Sequence, residues 1–322
     1  MRAFAPIAAV VALLALVPLI APSNAVLNFM VATLLIALVG QGWNLLGGYG
    51  GQYSFGQAAF FGTGAYATAI LQVQYGVNAW LGFLLGIAAG AAIGAVIGAL
   101  TFRAGLKGSY FALVTLAFAE VLRILASVAP ITGAGILIKL DLRPEAFQFQ
   151  SRAPFYWIIL AFVGASLVLI RIIENSRFGA YLVALRENED AAKALGVDTT
   201  RVKIAAMTLS AAITAAGGCF YAQYFLFLDA AIAYGPWISV EALLAPIIGG
   251  TGTVFGPLLG ALVVKTLGEL TKLVTGSAPG LDLVIYGGVL VAVVAFAPGG
   301  IAGLLSTIRA LVRRVAPERR HG

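Results

Sequence analysis

Residues 80–102 read WLGFLLGIAAGAAIGAVIGALTF, an apolar run without a single charged side chain. About 20 such residues, helical at 1.5 Å each, cross the hydrocarbon of a bilayer. A soluble protein would bury so long a run only in a large core and would surround it with charge. The rest of the chain does not supply that charge. Of 322 residues 61% are hydrophobic and only 10% charged, against about a quarter charged in soluble domains, and the mean hydropathy is +0.99. So little polar surface cannot cover a water-facing globule, and the surface must face lipid. The 39 glycines agree, since small residues let membrane helices approach closely.

Working outward from that run, comparable stretches occur at Phe4–Ala21, Val26–Leu46, Tyr53–Leu71, Ser109–Val128, Phe155–Ile173, Ile204–Leu228 and Leu281–Phe296. Ile238–Lys272 is interrupted by Gly249-Gly250-Thr251-Gly252 and Gly256-Pro257, and divides into Ile238–Ile248 and Pro257–Lys272, the first short enough to be a half-helix or re-entrant piece. The expected fold is all-α, a polytopic transmembrane bundle of about ten helical pieces, some short or broken. Residues 1–306 form the membrane domain and 307–322 a basic tail. The first segment has the outline of a signal peptide, with Arg2 ahead of an apolar run and Pro22-Ser23-Asn24-Ala25 behind it. Because the next span follows within a few residues, it is expected to stay as a membrane helix.

The net charge of +7 is explained by where the basic residues sit. Arg177, Arg186, Lys193, Arg201 and Lys203 fall in one connection, Arg103 and Lys107 in another, and Arg309, Arg313, Arg314, Arg319 and Arg320 in the tail. Alternate threading puts all three on one side, which the positive-inside rule makes cytoplasmic, together with both termini. Only Pro130–Pro154, with Lys139, Arg143 and Arg152, runs against this. Topology thus accounts for the basic balance, and a lipid bilayer rather than nucleic acid is the implied partner. Trp43, Trp80, Trp157 and Trp237 near span ends read as interface anchors.

Catalysis is poorly provided for. The single histidine, His321, lies in the tail and the single cysteine, Cys219, in an apolar stretch. No metal site, Ser–His pair or H-E-x-x-H is present, so the chain is not read as an enzyme. No G-x-x-x-x-G-K-[ST] loop exists to hold ATP, and no cofactor is expected on this chain.

The polar block 174–203 has helical rhythm. Leu182, Leu185, Ala192 and Leu195 share a face, interrupted by Asn188 and Glu189, and Gly196 stands where a left-handed cap would end the helix. Arg186, Glu187, Asn188, Asp190 and Lys193 are left for the polar side. Such a helix suits docking to a soluble partner, or lying on lipid headgroups.

Within the membrane, Glu120 and Arg123 are spaced to neutralise each other on one helical face, which is expected to point into the bundle. Gln41, Asn44, Gln52, Ser54 and Gln57 surround the glycine run 47–51. A broken helix there can line a cavity for a zwitterionic solute, or form a turn braced by amide contacts. These seven residues are the candidate translocation path.

Asp190-Ala191-Ala192-Lys193-Ala194-Leu195-Gly196 resembles the EAA-x-x-x-G signature of ATP-binding-cassette (ABC) importer permeases, with Asp for Glu. Longer blocks resemble LivM-type permeases in the family's order: Asn44 to Gly62, Tyr110 to Glu120, Arg177-Phe178-Gly179 through Gly196, and Gly249 through Pro257. Gln57 stands where members often have His, and the proline-containing tail of the general signature is absent after Lys203. The resemblance implies a permease subunit of a branched-chain amino-acid importer in a bacterial inner membrane. It implies two ATPase subunits (LivG/LivF-like) binding ATP, a related permease chain (LivH-like) and a periplasmic binding protein. It also implies that Arg177, Phe178, Gly179, Arg186, Glu187, Asn188, Asp190, Ala191, Ala192, Leu195 and Gly196 make the ATPase-coupling loop. Urea or a short amide is the alternative substrate, and an ion-coupled secondary transporter the alternative class.

Overall fold

The computed structural model describes residues 4–20, 23–132, 135–139 and 141–275, and beyond them only 284, 285, 287, 288, 291, 300, 301 and 303. The expected span Leu281–Phe296 lies almost entirely, and the basic tail 307–322 wholly, outside the described residues.

The described chain is an all-α bundle. In order it runs α1 Ala5–Ala15, α2 Val17–Ile20, α3 Asn24–Trp43 continued by a π-turn Asn44–Tyr49, α4 Gln57–Val73, α5 Ala79–Arg103, α6 Gly108–Val128 and α7 Ala153–Glu174. There follow α8 Arg177–Glu187, α9 Glu189–Ala194, α10 Thr199–Phe225, α11 Ala230–Ala233, α12 Pro236–Gly249 and α13 Gly256–Thr275. Among the described residues six helical stretches are long and apolar enough to cross a membrane.

Starts are set by local chemistry. Asn78, Ser176, Asn188 and Asp198 each accept a backbone N–H in the first turn of the helix they precede, satisfying donors left orphaned at a helix N-terminus. Asp198 therefore opens α10 several residues before the expected span, and draws Lys203 into the helix. Prolines open α7 and α12, where a missing N–H costs nothing.

α10 is the axis of the bundle, packed on α3, α4, α5 and α7. Glycine makes the closest of these contacts. A Cβ on Gly86, Gly90 or Gly94, spaced four apart along α5, would come within 3.0 Å of Cys219, Ala215 or Ala211 of α10. Small residues on one stripe bring the backbones together, as lipid-embedded helices require. Trp43, Phe60, Phe61, Phe111, Tyr156 and Phe220 fill the remaining core and are fully buried. Trp43 is thus no interface anchor: its Nε1 donates to the Ser54 carbonyl at 2.8 Å. Trp80 and Trp157 are exposed.

The connection 129–152 caps one end of the bundle. Ile136–Leu137 (β1) pairs antiparallel with Phe227–Leu228 (β2), and Trp80 Nε1 donates to the Pro144 carbonyl at 2.9 Å. Phe147, with left-handed φ of 57°, is buried against Trp80, Phe83 and Phe155. The segment is thus anchored through its apolar residues, while Lys139, Arg143 and Arg152 stay on its exposed surface.

Candidate functional site

At the opposite end of the bundle the loop between α7 and α10 folds as two helices. Ser176 Oγ accepts from Gly179 N at 3.2 Å, turning the chain out of α7 so that Arg177 and Phe178 begin α8. Leu182 and Leu185 bury α8 on the bundle. Asn188, extended at φ −159° and ψ 104°, breaks the helix, and its Oδ1 accepts from Asp190 N and Ala191 N at 3.1 and 3.0 Å. α9 closes in a left-handed turn. Gly196 has φ 85°, its N–H reaches the Lys193 carbonyl at 2.9 Å, and Val197 N–H reaches that of Ala192 at 3.1 Å. This is the paired 5→2 and 6→1 pattern of a glycine C-cap.

α9 is too short to carry the apolar rhythm through: it ends at Ala194, with Leu195 as its cap residue. Leu182, Leu185 and Ala192 are buried, but Leu195 is 85% exposed, so the four do not share one face. Glu187, Asp190, Ala191 and Leu195 face outward, while Ala192 packs against this chain.

One carboxylate ties α9 down. Glu189 lies 2.7 Å from Lys203 of α10, 3.1 Å from Lys193 and 3.3 Å from Lys107 of the α5–α6 turn. Burial pushes its carboxyl up, but the hydrogen bonds from Lys203, Lys193 and Lys107, with the Lys203 charge, outweigh that and hold it down to about 2. Lys203 is itself buried, over the Phe102 ring.

The loop also touches both glycine breaks. Arg186 Nη1 donates to the Gly48 carbonyl at 3.0 Å, and a Cβ on Gly51 or Gly252 would meet the Arg186 side chain. Asn44 joins the two breaks, donating to the Thr253 carbonyl at 3.0 Å and accepting from Gly252 N at 2.8 Å. Tyr49 Oη donates to Glu174 at the end of α7. α8 is thus in direct contact with the π-turn of α3 and with the turn between α12 and α13.

The polar residues around the first break are mostly spent on packing. Gln41 Nε2 donates to the Val254 carbonyl at 2.6 Å; Gln57 donates to Ser210 at 3.3 Å and accepts from Thr214 at 2.8 Å. Ser54 Oγ accepts from Gly56 N, and Gln52 Nε2 donates to the Gly50 carbonyl at 3.2 Å. Glu120 and Arg123 do pair through two hydrogen bonds of 2.6 and 2.9 Å. They lie on the exposed face of α6, with Leu113, Leu116 and Ile124, not inside the bundle as expected. Among the described residues α6 buries Phe111, Ala112, Thr115, Ala119 and Ala126, and its charged side stays exposed.

Residues 25–294 match the family described as branched-chain amino acid transport system, permease component. The chain belongs to this permease family. It is similar to the high-affinity branched-chain amino acid permease protein LivM of Salmonella typhimurium, 27% identical over 84% of this chain and 68% of the relative. With the Escherichia coli LivM it is 27% identical, over 87% and 70%. More distant is the ribose import permease RbsC of Bacillus subtilis, 27% identical over 49% of each chain. No solved structure matches.

In this permease the sequence singled out the loop but missed Glu189, Lys107 and Lys203 as its fastening. Three cations spread from residue 107 to 203 carry no periodic signal. The only hint was an acidic residue directly after a capping Asn.

Proposed function

We propose that this chain is one of two related permease subunits of an ABC importer for branched-chain amino acids, in a bacterial inner membrane. The observation that carries the coupling role is Arg186. It links an outward-facing loop to the two glycine breaks through the Gly48 carbonyl. Two ATPase subunits, LivG/LivF-like, bind ATP and receive α8–α9. Arg177, Phe178 and Gly179 set the loop's exit from α7. Glu187, Asp190, Ala191 and Leu195 make the contact, and Ala192 and Gly196 shape the helix that presents it. The chain itself binds no cofactor. The basic loop and both termini are cytoplasmic, and a periplasmic binding protein delivers substrate to the other end.

The exposed side of α6 meets the related, LivH-like permease chain, because charged groups turned to lipid are costly even as a Glu120–Arg123 pair. The translocation path runs beside that pair. Gln41, Asn44, Gln52, Ser54 and Gln57 support its wall from behind by holding the broken helices together.

Leu195→Asp is the direct test of the docking face. An exposed leucine buried by a partner contributes about 1.5–3 kcal/mol, so affinity should fall roughly 10–100-fold. Insertion should be unchanged, since Leu195 touches no span. The expected result is loss of ATPase subunits on co-purification and loss of substrate-stimulated hydrolysis. Full retention of both would make the loop an interfacial helix.

A further inference from the structure

At the end of the bundle away from α8–α9 lies a cavity of about 810 Å³ between the starts of α3 and α7, the end of α10, and α12 and α13. It falls within the roughly 300–1,000 Å³ typical of small-molecule sites. Its lining includes Arg152, Glu241, Lys265 and Glu269. Lys265 Nζ holds both oxygens of Glu241, at 2.9 and 2.7 Å, so the pair links α12 to α13. Glu241 is buried. Gln223, also in the lining and fully buried, keeps its Oε1 without a hydrogen-bond donor among the described residues.

We propose that this cavity binds a small zwitterionic amino acid within the single chain, before it reaches the boundary between permease subunits. The lining charges are two cations and two carboxylates, with no net sign. They suit a ligand carrying both charges better than a simple anion, cation or sugar. The ligand carboxylate takes Lys265 and Arg152, and its ammonium takes Glu241 and the vacant Gln223 acceptor. One internal ion pair is thus exchanged for charge-assisted contacts at both ends of the solute. Phe29, Phe149 and Phe155 give the side chain an apolar wall. This inference rests on the importer reading and adds a site to it.

The test uses the full transporter complex in nanodiscs, without ATP, carrying Ala32→Cys at the cavity wall; native Cys219 is fully buried. With a Kd near 1 mM, about 10 mM L-leucine should slow methanethiosulfonate labelling about tenfold, following simple occupancy. 4-Methylpentanoate and 3-methylbutylamine, each carrying one of the two charges, should protect far less. Arg152→Gln, at the exposed rim, and the charge-free pair Glu241→Gln with Lys265→Met should each remove protection while leaving the unprotected labelling rate unchanged. Equal protection by leucine and the singly charged analogues, no protection by leucine, or protection surviving in both variants overturns the proposal. Leucine uptake is measured separately with the same complexes in sealed proteoliposomes supplied with ATP and the substrate-binding protein. Uptake without protection removes the cavity site and leaves the importer reading standing. Protection without uptake keeps the site and removes branched-chain amino acids as the cargo.

Discussion

Glu189→Ala should free α9 from the bundle and abolish coupled uptake while leaving the spans inserted. The substitution strips the shared carboxylate from Lys107, Lys193 and Lys203, and Lys203 is buried. Removing one partner of a fully buried pair costs about 3–5 kcal/mol; Glu189 is half-buried and Lys107 and Lys193 are exposed, so the lower end of that range applies. A local unit held by one short helix cannot absorb that loss. Amide exchange across residues 189–197 should accelerate by at least a hundredfold, whereas exchange in α5 and α10 below the first turn should not change. Protection kept at the parent level would mean that Leu182, Leu185 and Ala192 alone hold the loop.

The same carboxylate sets a pH dependence. In the folded loop its value is about 2, below the ordinary 4.5. Its stabilising contribution is therefore complete above about 4.5 and is lost as pH falls from there toward 2. Loop protection should be flat at neutral pH and decline only in that acid window. In Glu189→Gln that acid step should disappear.

Gly48→Val should be strongly damaging to the membrane domain. A Cβ there would collide with Asn44 Oδ1 and stand 2.6 Å from Gly252 N. Neither neighbour can retreat, since Asn44 holds Gly252 and Thr253 and the other is backbone. Overpacking of this kind costs about 1–3 kcal/mol, and a further 1–3 kcal/mol follows if the buried Asn44 bonds are broken. The expected outcome is low yield of folded permease. Size-exclusion recovery of the detergent-solubilised chain after brief heating should show the loss, and Gly48→Ala should fall between parent and Val. An unaltered Val variant would mean that the two breaks do not cross as described.

The membrane class, the rough limits of most described helices, and the all-α fold were already written in the chain. They depend on unbroken apolar length and on the sparing use of charge, which act locally and need no tertiary partner. The loop's C-terminal helix end was legible for the same reason, since Gly196 acts on backbone groups within a few residues; the division at Asn188 into two helices was not read. What the chain alone did not disclose is direction. Leu195 shares the apolar rhythm of Ala192, yet it points outward because α9 ends at Ala194 and Leu195 is already its cap residue. Gln41, Asn44 and Gln57 are polar residues that a reading of the chain gives to a solute path, but their partners lie some 150 to 210 residues away, on α10 and the second glycine break. Lys265 has Glu269 one turn along its own helix and takes Glu241 instead. Local propensity cannot rank such choices. They are made when α3, α10, α12 and α13 come together, because a buried charge or amide must be satisfied by whichever group packing brings within reach.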